Sequence, residues 1–379
     1  MAVNKKTKIL MGIPSKKIRI GGPIHHLPYL VDYFEKKELY EIKTFTYGSK
    51  IDGGSLIDNK ESIFRKILNT LQVFFFFVYQ VIVFRPHIIH INTAFDPKSL
   101  IRDIPFSLFA FLFRNKLIFK LHGSSYELLK TQNKFTLFLI KLFFLGATRV
   151  GVLSGIEKDE FIKKFGNSNK MVVIKNIVHP NKSIDIKDQL YFRRETSRSY
   201  GLFISRIIAG KGLDDIIRAL PMVIKTTPGF TMVVAGDGPE KTRLMNLAHE
   251  LNVNSSIIWL GIVQNEHLAQ LFFSSDIFIF SSHMPEGMPM SLVEALRSGI
   301  PIITTRVRFA VNYLEENQNC LFIEAGNIND INEKINKLLV DKDLQMRMKT
   351  INPKMVENFS EKIVGKEFET IYKQMLNVH

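Results

Sequence analysis

This sequence predicts an α/β chain built as two doubly wound domains, each around its own parallel sheet. Three observations carry that prediction. Short apolar runs rich in Ile, Val and Phe alternate with helix-length segments almost throughout, as parallel βα units do. The rhythm breaks once, at the polar and charged stretch 181–200, and then restarts. The 379 residues are long for a single core and comfortable for two. The organisation expected is a first domain over residues 1–180, a linker over 181–200, a second domain over 201–360, and a terminal helix over 361–379 packing back toward the first domain.

In chain order, the first half offers strands at Lys8–Gly12, Ile42–Tyr47, His87–Asn92, Lys116–His122, Arg149–Ser154 and Met171–Asn176. Helices fall between them, one beginning near Pro28 and others over Ser62–Phe84, Leu100–Phe113 and Phe135–Leu145. After the linker, strands are expected at Gly201–Ser205, Thr231–Gly236, Ile257–Gly261, Ile277–Ser281, Pro301–Thr304 and Leu321–Glu324. The helices expected there are Leu213–Ile224, Glu240–Leu251, Asn265–Phe273 and Met290–Arg297, with more to the C-terminus. Two such domains place a ligand at the C-terminal ends of their strands, in a central cleft that the domains face.

Composition narrows the class. The chain is 46% hydrophobic and 23% charged, which is globular rather than disordered. One cysteine, Cys320, excludes an internal disulfide and fits a reducing compartment. The N-terminal apolar run ILMGI is too short for a signal-peptide core. The run Val73–Phe84, with Gln80 inside it, suits a buried or interfacial helix better than a membrane span. The net charge of +15 is unevenly placed. Residues 1–180 hold 28 Lys+Arg against 13 Asp+Glu, and residues 181–379 hold 23 against 23. The first half also holds 20 of the 31 phenylalanines. One reading is a basic solvated surface over a Phe-rich core; the other is a surface that meets anionic lipid. Nucleic acid is not expected, because no helix-turn-helix, zinc-ligand or RNP-like pattern accompanies the charge.

Four motifs could carry chemistry, each with a purely structural alternative. In GLFISRIIAGKGLDD, residues 201–215, Arg206 and Lys211 lie on the loop after a strand. Two fixed cations there suit a diphosphate leaving group, and two solvated cations are the alternative. In MVVAGDGPE, residues 232–240, Asp237 sits in a Gly-rich turn and caps or holds backbone. In KIRIGGPIHHLPYL, residues 17–30, Gly21 and Gly22 let backbone approach a phosphate without forming the dinucleotide fingerprint, and the adjacent His25 and His26 do not suggest a metal site. In KLIFKLHGSSYELL, residues 116–129, His122 ends a strand and is either exposed or turned toward a sugar hydroxyl. Asp341-Lys342-Asp343 matches a metal-holding DxD pattern but reads as an acidic helix start, and no metal is expected.

Residues 281–299, SSHMPEGMPMSLVEALRSG, are the most informative. A strand ends, the loop HMPEGMP follows, and a helix starts near Met290. Glu286 is on the loop, and Glu294 is one turn into the helix, roughly 6 Å along its axis. The helix N-terminus between them is an anion site. Carboxylate, positive dipole, carboxylate matches the order sugar hydroxyls, diphosphate, ribose hydroxyls of a nucleotide sugar.

EGMPMSLVE resembles the E-x7-E motif of retaining glycosyltransferases with the GT-B fold, and of glycosyltransferase family 4 in particular. The resemblance covers most of the chain. SRIIAGKG resembles the family's Arg-x4-Lys element, and VVAGDGPE, IIWLGIV and EALRSGIPIITT follow at family-like spacing. PHIIHIN, LHG and VVIKNIV are thinner matches in the first half. The resemblance implies a fold of two Rossmann-like domains. It implies that Arg206 and Lys211 hold the donor diphosphate, Glu294 the ribose and Glu286 the donor sugar. It places His122 at the sugar, and Gly21 or Gly22 near the phosphates or acceptor. Gly287, Met288, Met290 and Ser291 line the donor site. Many members have Gly-Phe-Gly where this chain has Gly287-Met288-Pro289. Proline has no N–H, so phosphate contacts would come from the amides of Met290 and Ser291.

The activity implied is transfer of a hexose-type unit, with retention and without a metal, from a nucleotide sugar. UDP-sugar is the preferred donor, and GDP-mannose is possible. The expected acceptor is a lipid-linked or membrane-proximal glycan at the cytoplasmic face of a membrane, in cell-surface polysaccharide synthesis. The protein would be cytoplasmic and peripheral on an anionic membrane surface. The alternatives are a GT-B nucleotide-sugar epimerase and a non-catalytic accessory protein.

Overall fold

The computed structural model describes residues 6–14, 22–47, 63–178, 194–264 and 267–377. The chain forms two compact units. The first comprises residues 1–179 and 359–379, and the second residues 180–358.

In the first unit six parallel strands run in the order β2-β1-β3-β4-β5-β6. They are β1 (Thr7–Pro14), β2 (Tyr40–Tyr47), β3 (Ile88–Phe95), β4 (Lys116–Ser124), β5 (Ala147–Val152) and β6 (Met171–Val173). Helices α1 (Gly22–Glu35), α2 (Ile63–Phe84), α3 (Pro97–Leu112), α4 (Tyr126–Lys130), α5 (Lys134–Leu145) and α6 (Gly155–Phe165) join them. The inner strands β3 and β4 are buried on both faces, so they read as near-continuous apolar runs, whereas edge strand β2 leaves Glu41, Thr44 and Thr46 exposed. One face packs on α2, α3 and α5 through Leu10, Ile89, Ile91, Phe119 and Val150, with phenylalanines from each helix. The other face packs Ile9, Met11, Ile88 and Ile118 on α1 and on the last helix of the chain, α14 (Glu361–Leu376).

Helix α14 is tied to α1 by specific bonds. Tyr33 donates to Glu369 at 2.7 Å, and Lys37 pairs with the same carboxylate. Gly365 sits against the Tyr33 ring, where an added Cβ would lie 2.5 Å from a ring carbon. Where the chain returns to this unit, the amide of Val178 donates to the Phe359 carbonyl at 2.8 Å.

In the second unit the order is β12-β11-β10-β7-β8-β9. The strands are β7 (Ser199–Ile204), β8 (Phe230–Ala235), β9 (Ile257–Gly261), β10 (Ile277–Phe280), β11 (Ile302–Thr305) and β12 (Leu321–Ile323). The helices are α7 (Leu213–Thr226), α8 (Lys241–Glu250), α9 (Leu268–Phe273), α10 (Met290–Ser298), α11 (Arg308–Tyr313), α12 (Ile328–Val340) and α13 (Lys342–Val356). The sequentially distant β7 and β10 are neighbours at the middle of the sheet, so the loops that follow them emerge side by side at the C-terminal ends of the strands. That is the switch point at which doubly wound sheets bind ligands.

Three expectations need correction. Helix α1 begins at Gly22, and Pro28 lies inside it; proline's φ is itself helical, so it need not mark a start. The linker stops short of residue 200, because Ser199 and Tyr200 pair with Phe230 and Thr231 in the sheet and Tyr200 is buried. Helices α4 and α6 were not anticipated. The α6 start carries a legible signal, since Ser154 Oγ accepts from the Glu157 amide at 3.1 Å. Asp341 of the DxD sequence caps α13, accepting from the Leu344 amide at 2.9 Å.

Candidate functional site

The site in the second unit is assembled by two loops. After β10, the amide of His283 donates to the Gly210 carbonyl at 2.8 Å. Ser281 Oγ donates to the Gly212 carbonyl at 2.9 Å. These bonds lay residues 281–286 along residues 210–212 of the loop after β7. Only glycine serves at 212: its φ is +74°, and a Cβ there would lie 1.9 Å from the Ser281 carbonyl oxygen. The loop after β7 is also clamped from its other side. The Ile207 amide donates to the Asp237 carbonyl at 2.9 Å, and the Glu240 amide to the Ile207 carbonyl at 3.2 Å. Asp237 turns its own Oδ1 back onto the Gly238 amide at 2.8 Å, a backbone-holding role.

This framework brings Lys211 and Glu286 into a direct ion pair, with side chains 11% and 19% exposed. Ser282 Oγ adds a bond to Glu286 Oε1 at 3.2 Å. The Glu286 carbonyl accepts from the Phe309 amide at 3.2 Å, and its amide donates to the Met284 carbonyl at 2.8 Å. Both ends of the residue are therefore held. Arg206, one strand-end away, is exposed, and its guanidinium has no partner among the described residues. A fixed cation, a carboxylate and an open guanidinium thus share the C-terminal end of the two central strands.

Helix α10 completes the arrangement. Gly287 and Met288 are buried beneath the loop, and Pro289 is the N-cap, with no side-chain cap. The Pro289 carbonyl accepts from the amides of Leu292 and Val293, each at 3.1 Å. The amides of Met290 and Ser291 have no acceptor among the described residues, as expected for the first turn. Glu294, one turn in, pairs with Arg297 three residues on. Glu294 and Lys211, expected at the ribose and the diphosphate, each have a protein partner, Arg297 and Glu286. Asp215 and His283 were missed: His283 Nε2 meets Asp215 Oδ2 at 2.5 Å, and Gly326 donates its amide to the same oxygen at 3.2 Å, bracing the loop from behind.

His122 belongs to the first unit. It lies near the C-terminal end of β4, half-buried, with its Nδ1 buried. Its Nε2 is 3.0 Å from Asn92 Oδ1, while Asn92 Nδ2 donates to the Gly12 carbonyl at 3.0 Å. A carbonyl only accepts. The Asn92 amide is therefore oriented with its oxygen toward His122, the proton sits on Nε2, and Nδ1 keeps its lone pair. That Nδ1 is buried without a partner, as is Oδ1 of Asn176 beside it.

The surroundings keep the ring neutral. Burial first, and then the nearby Lys120, hold His122 and His26 well below the usual imidazole range. His90 falls to about 3 for the same reasons, and its Nδ1 meets the Tyr372 hydroxyl at 2.6 Å. Lys120 is fully buried and is itself pushed down to about 7 by desolvation. The His26 ring lies 5.6 Å from that of His122, and its Nδ1 accepts from the Ile177 amide at 2.6 Å, which makes it structural. None of Asn92, His90 or Lys120 was singled out from sequence. Gly21 lies outside the described residues, and Gly22 is the first residue of α1. Among the described residues no cluster of three His, Cys, Asp or Glu could hold a metal ion.

Residues 192–355 match the family glycosyl transferases group 1. The chain is 27% identical over 240 residues to N-acetyl-alpha-D-glucosaminyl L-malate synthase of Bacillus anthracis, covering 59% of this chain and 61% of that one. Among solved structures, sucrose-phosphate synthase of Thermosynechococcus elongatus superposes with a TM-score of 0.77 at 14% identity, over 98% of this chain and 100% of that one. HepE of Anabaena, in complex with UDP, superposes with a TM-score of 0.71 at 17% identity, over 97% of this chain and 100% of that one. The fold is GT-B, and the residues that match the glycosyl transferases group 1 model fall within the second unit.

Proposed function

From the group 1 glycosyl transferase region and the site built on it, we propose that this protein is a retaining glycosyltransferase of family 4. It moves a hexose-type sugar from a nucleotide sugar, preferably UDP-linked, to a lipid-linked or membrane-proximal glycan in cell-surface polysaccharide synthesis. The observation that carries the reading is the joining of the loops after β7 and β10, which sets Arg206, the Lys211–Glu286 pair and the open α10 amides at the C-terminal end of the two central strands.

Each group has a role in that chemistry. Breaking the glycosidic bond builds negative charge on the diphosphate, which Arg206, Lys211 and the amides of Met290 and Ser291 offset. Glu286 accepts from hydroxyls of the donor sugar, and its contacts with Lys211 and Ser282 keep it aimed. Glu294 accepts from the ribose. His122 offers Nδ1 as an acceptor to a sugar hydroxyl. The leaving phosphate takes the acceptor proton on the face it departs from, which retains configuration and needs no metal. The similarity in fold to a UDP-bound neighbour supports the choice of UDP. The reading places the work at the cytoplasmic face of a membrane.

The test is thermal unfolding with saturating UDP and then GDP, on wild type and Arg206→Ala. A ligand at 100 times its Kd adds about 2.7 kcal/mol, which moves the melting temperature by several degrees. A shift with one nucleotide, reduced in the variant, supports the diphosphate site and names the base. No shift with either overturns the reading.

A further inference from the structure

The outer surface of the first unit's helical layer is apolar in a way that packing does not explain. Helix α2 buries Phe77, Val81 and Phe84 against the sheet. On its other side Leu68, Leu71, Phe75, Tyr79 and Ile82 are all exposed, Phe75 by 66%. Their spacing of three or four residues makes one stripe, about 21 Å long at 1.5 Å per residue. A helix that is apolar all round suits a buried or lipid environment rather than water. Helix α5 repeats the pattern with Phe135, Phe138 and Leu145 exposed, and α3 with Ile101 and Leu112, the latter by 72%.

The three helices form one layer. Phe77 of α2 meets Phe106 of α3 with ring centroids 4.8 Å apart, and Ser107 of α3 donates to the Phe143 carbonyl of α5 at 2.8 Å. The charge on this layer has one sign. Helices α2 and α5 contain no Asp or Glu, and the single acid of α3, Asp103, is buried and paired with Arg102. Lys134 and Lys141 on α5, and Arg85 and Arg114 just beyond α2 and α3, are exposed.

We propose that the outer face of α2, α3 and α5 docks on an anionic lipid bilayer. Phenylalanine and leucine side chains enter the interface while lysine and arginine meet lipid phosphates. No described helix is long and apolar enough to cross a membrane, so the helices lie in the plane of the interface. The charge argues against a second copy as occupant, because two-fold pairing would set this face against its own positive charges. This inference deepens the membrane-proximal acceptor reading above and identifies the surface that would meet the membrane.

The experiment is flotation of the full chain with phosphatidylcholine vesicles and with vesicles containing about one-third phosphatidylglycerol. It is run on wild type, Phe75→Ser/Tyr79→Ser and Lys134→Glu/Lys141→Glu, with sedimentation velocity to read self-association. Wild type is expected to float with anionic vesicles and far less with neutral ones. Each double variant is expected to lose about tenfold or more in partitioning, with its nucleotide thermal shift intact, which shows the fold retained. Equal recovery of wild type from both vesicle types, or variants that float like wild type, overturns the proposal. So does a wild-type dimer that Phe75→Ser/Tyr79→Ser dissociates, which assigns the face to protein. Vesicle binding without any nucleotide shift leaves the docking face standing and removes the donor site, so the two readings fail separately.

Discussion

Asn92 sets the tautomer of His122: its amide nitrogen is committed to the Gly12 carbonyl and its oxygen to His122 Nε2, each at 3.0 Å. The free Nδ1 is thereby defined as an acceptor. Asn92→Leu removes both bonds and leaves the fold's other contacts in place. Turnover is expected to fall by about 100-fold, the cost of misplacing a reacting-site group. The nucleotide thermal shift should persist, because Asn92 is in the other unit. Steady-state kinetics on a donor–acceptor pair decide the point; unchanged kcat would remove Asn92 as a positioning residue.

The Lys211–Glu286 pair is half of the donor-side argument. Glu286→Ala and Arg206→Ala are each expected to lose about 10²–10³ in kcat. In denaturant unfolding, the single variants Lys211→Met and Glu286→Gln should not add to the double variant. Contact between the two side chains predicts a coupling of about 1–3 kcal/mol. Strict additivity would mean that the pair is not formed in solution.

Lys120 gives the first unit a pH signature. Its folded value is near 7 while an unfolded lysine titrates near 10.4. Between these the unfolded chain binds more protons, so stability rises with pH from about 7 to about 10. Below 7 the buried ammonium is charged and its full cost is present. Lys120→Met should therefore be more stable than wild type at pH 7, with a margin that narrows toward pH 10. Melting temperatures of both proteins across that range test this, and parallel curves would refute it.

The three depressed histidines act at lower pH. His26, His90 and His122 stay neutral in the fold while the unfolded chain protonates near 6.5. Stability should fall as pH drops from about 6.5 toward 4, because only the unfolded state gains the protons. Substituting His90 by Phe should shallow that slope in urea unfolding between pH 4 and 7. An unchanged slope would mean that His90 does not titrate differently in the two states.

Gly212 tests the junction of the two loops. Gly212→Ala imposes a left-handed backbone on a residue with a Cβ and a clash with the Ser281 carbonyl. A loss of at least about 2 kcal/mol and of the nucleotide shift is expected. Calorimetry with and without UDP measures both, and a wild-type response would show that the loops can separate without cost.

How far these features were legible depends on how local they are. All twelve strands among the described residues, and most helices between them, are marked by apolar runs and helical spacing within each element's own residues. The donor loops were legible for the same reason: Arg206 with Lys211, and Glu286 with Glu294, are each a few positions apart on one strand-loop-helix step. Helix α6 was missed although Ser154 and Glu157 announce its start, because the segment lacks a strong apolar period.

What no local pattern contains is which strand lies beside which. That Lys211 meets Glu286, 75 residues later, follows from β10 pairing with β7 rather than with the preceding strand β9. That Asn92, His122 and Gly12 form one chain of bonds follows from β3 lying between β1 and β4. The composition of the first half showed an excess of phenylalanine and positive charge, but only packing sorted the phenylalanines into those that fill the core and those left on the outer face of α2 and α5. Periodicity is set by neighbours in the chain, whereas strand order and burial are set by the whole sheet closing at once.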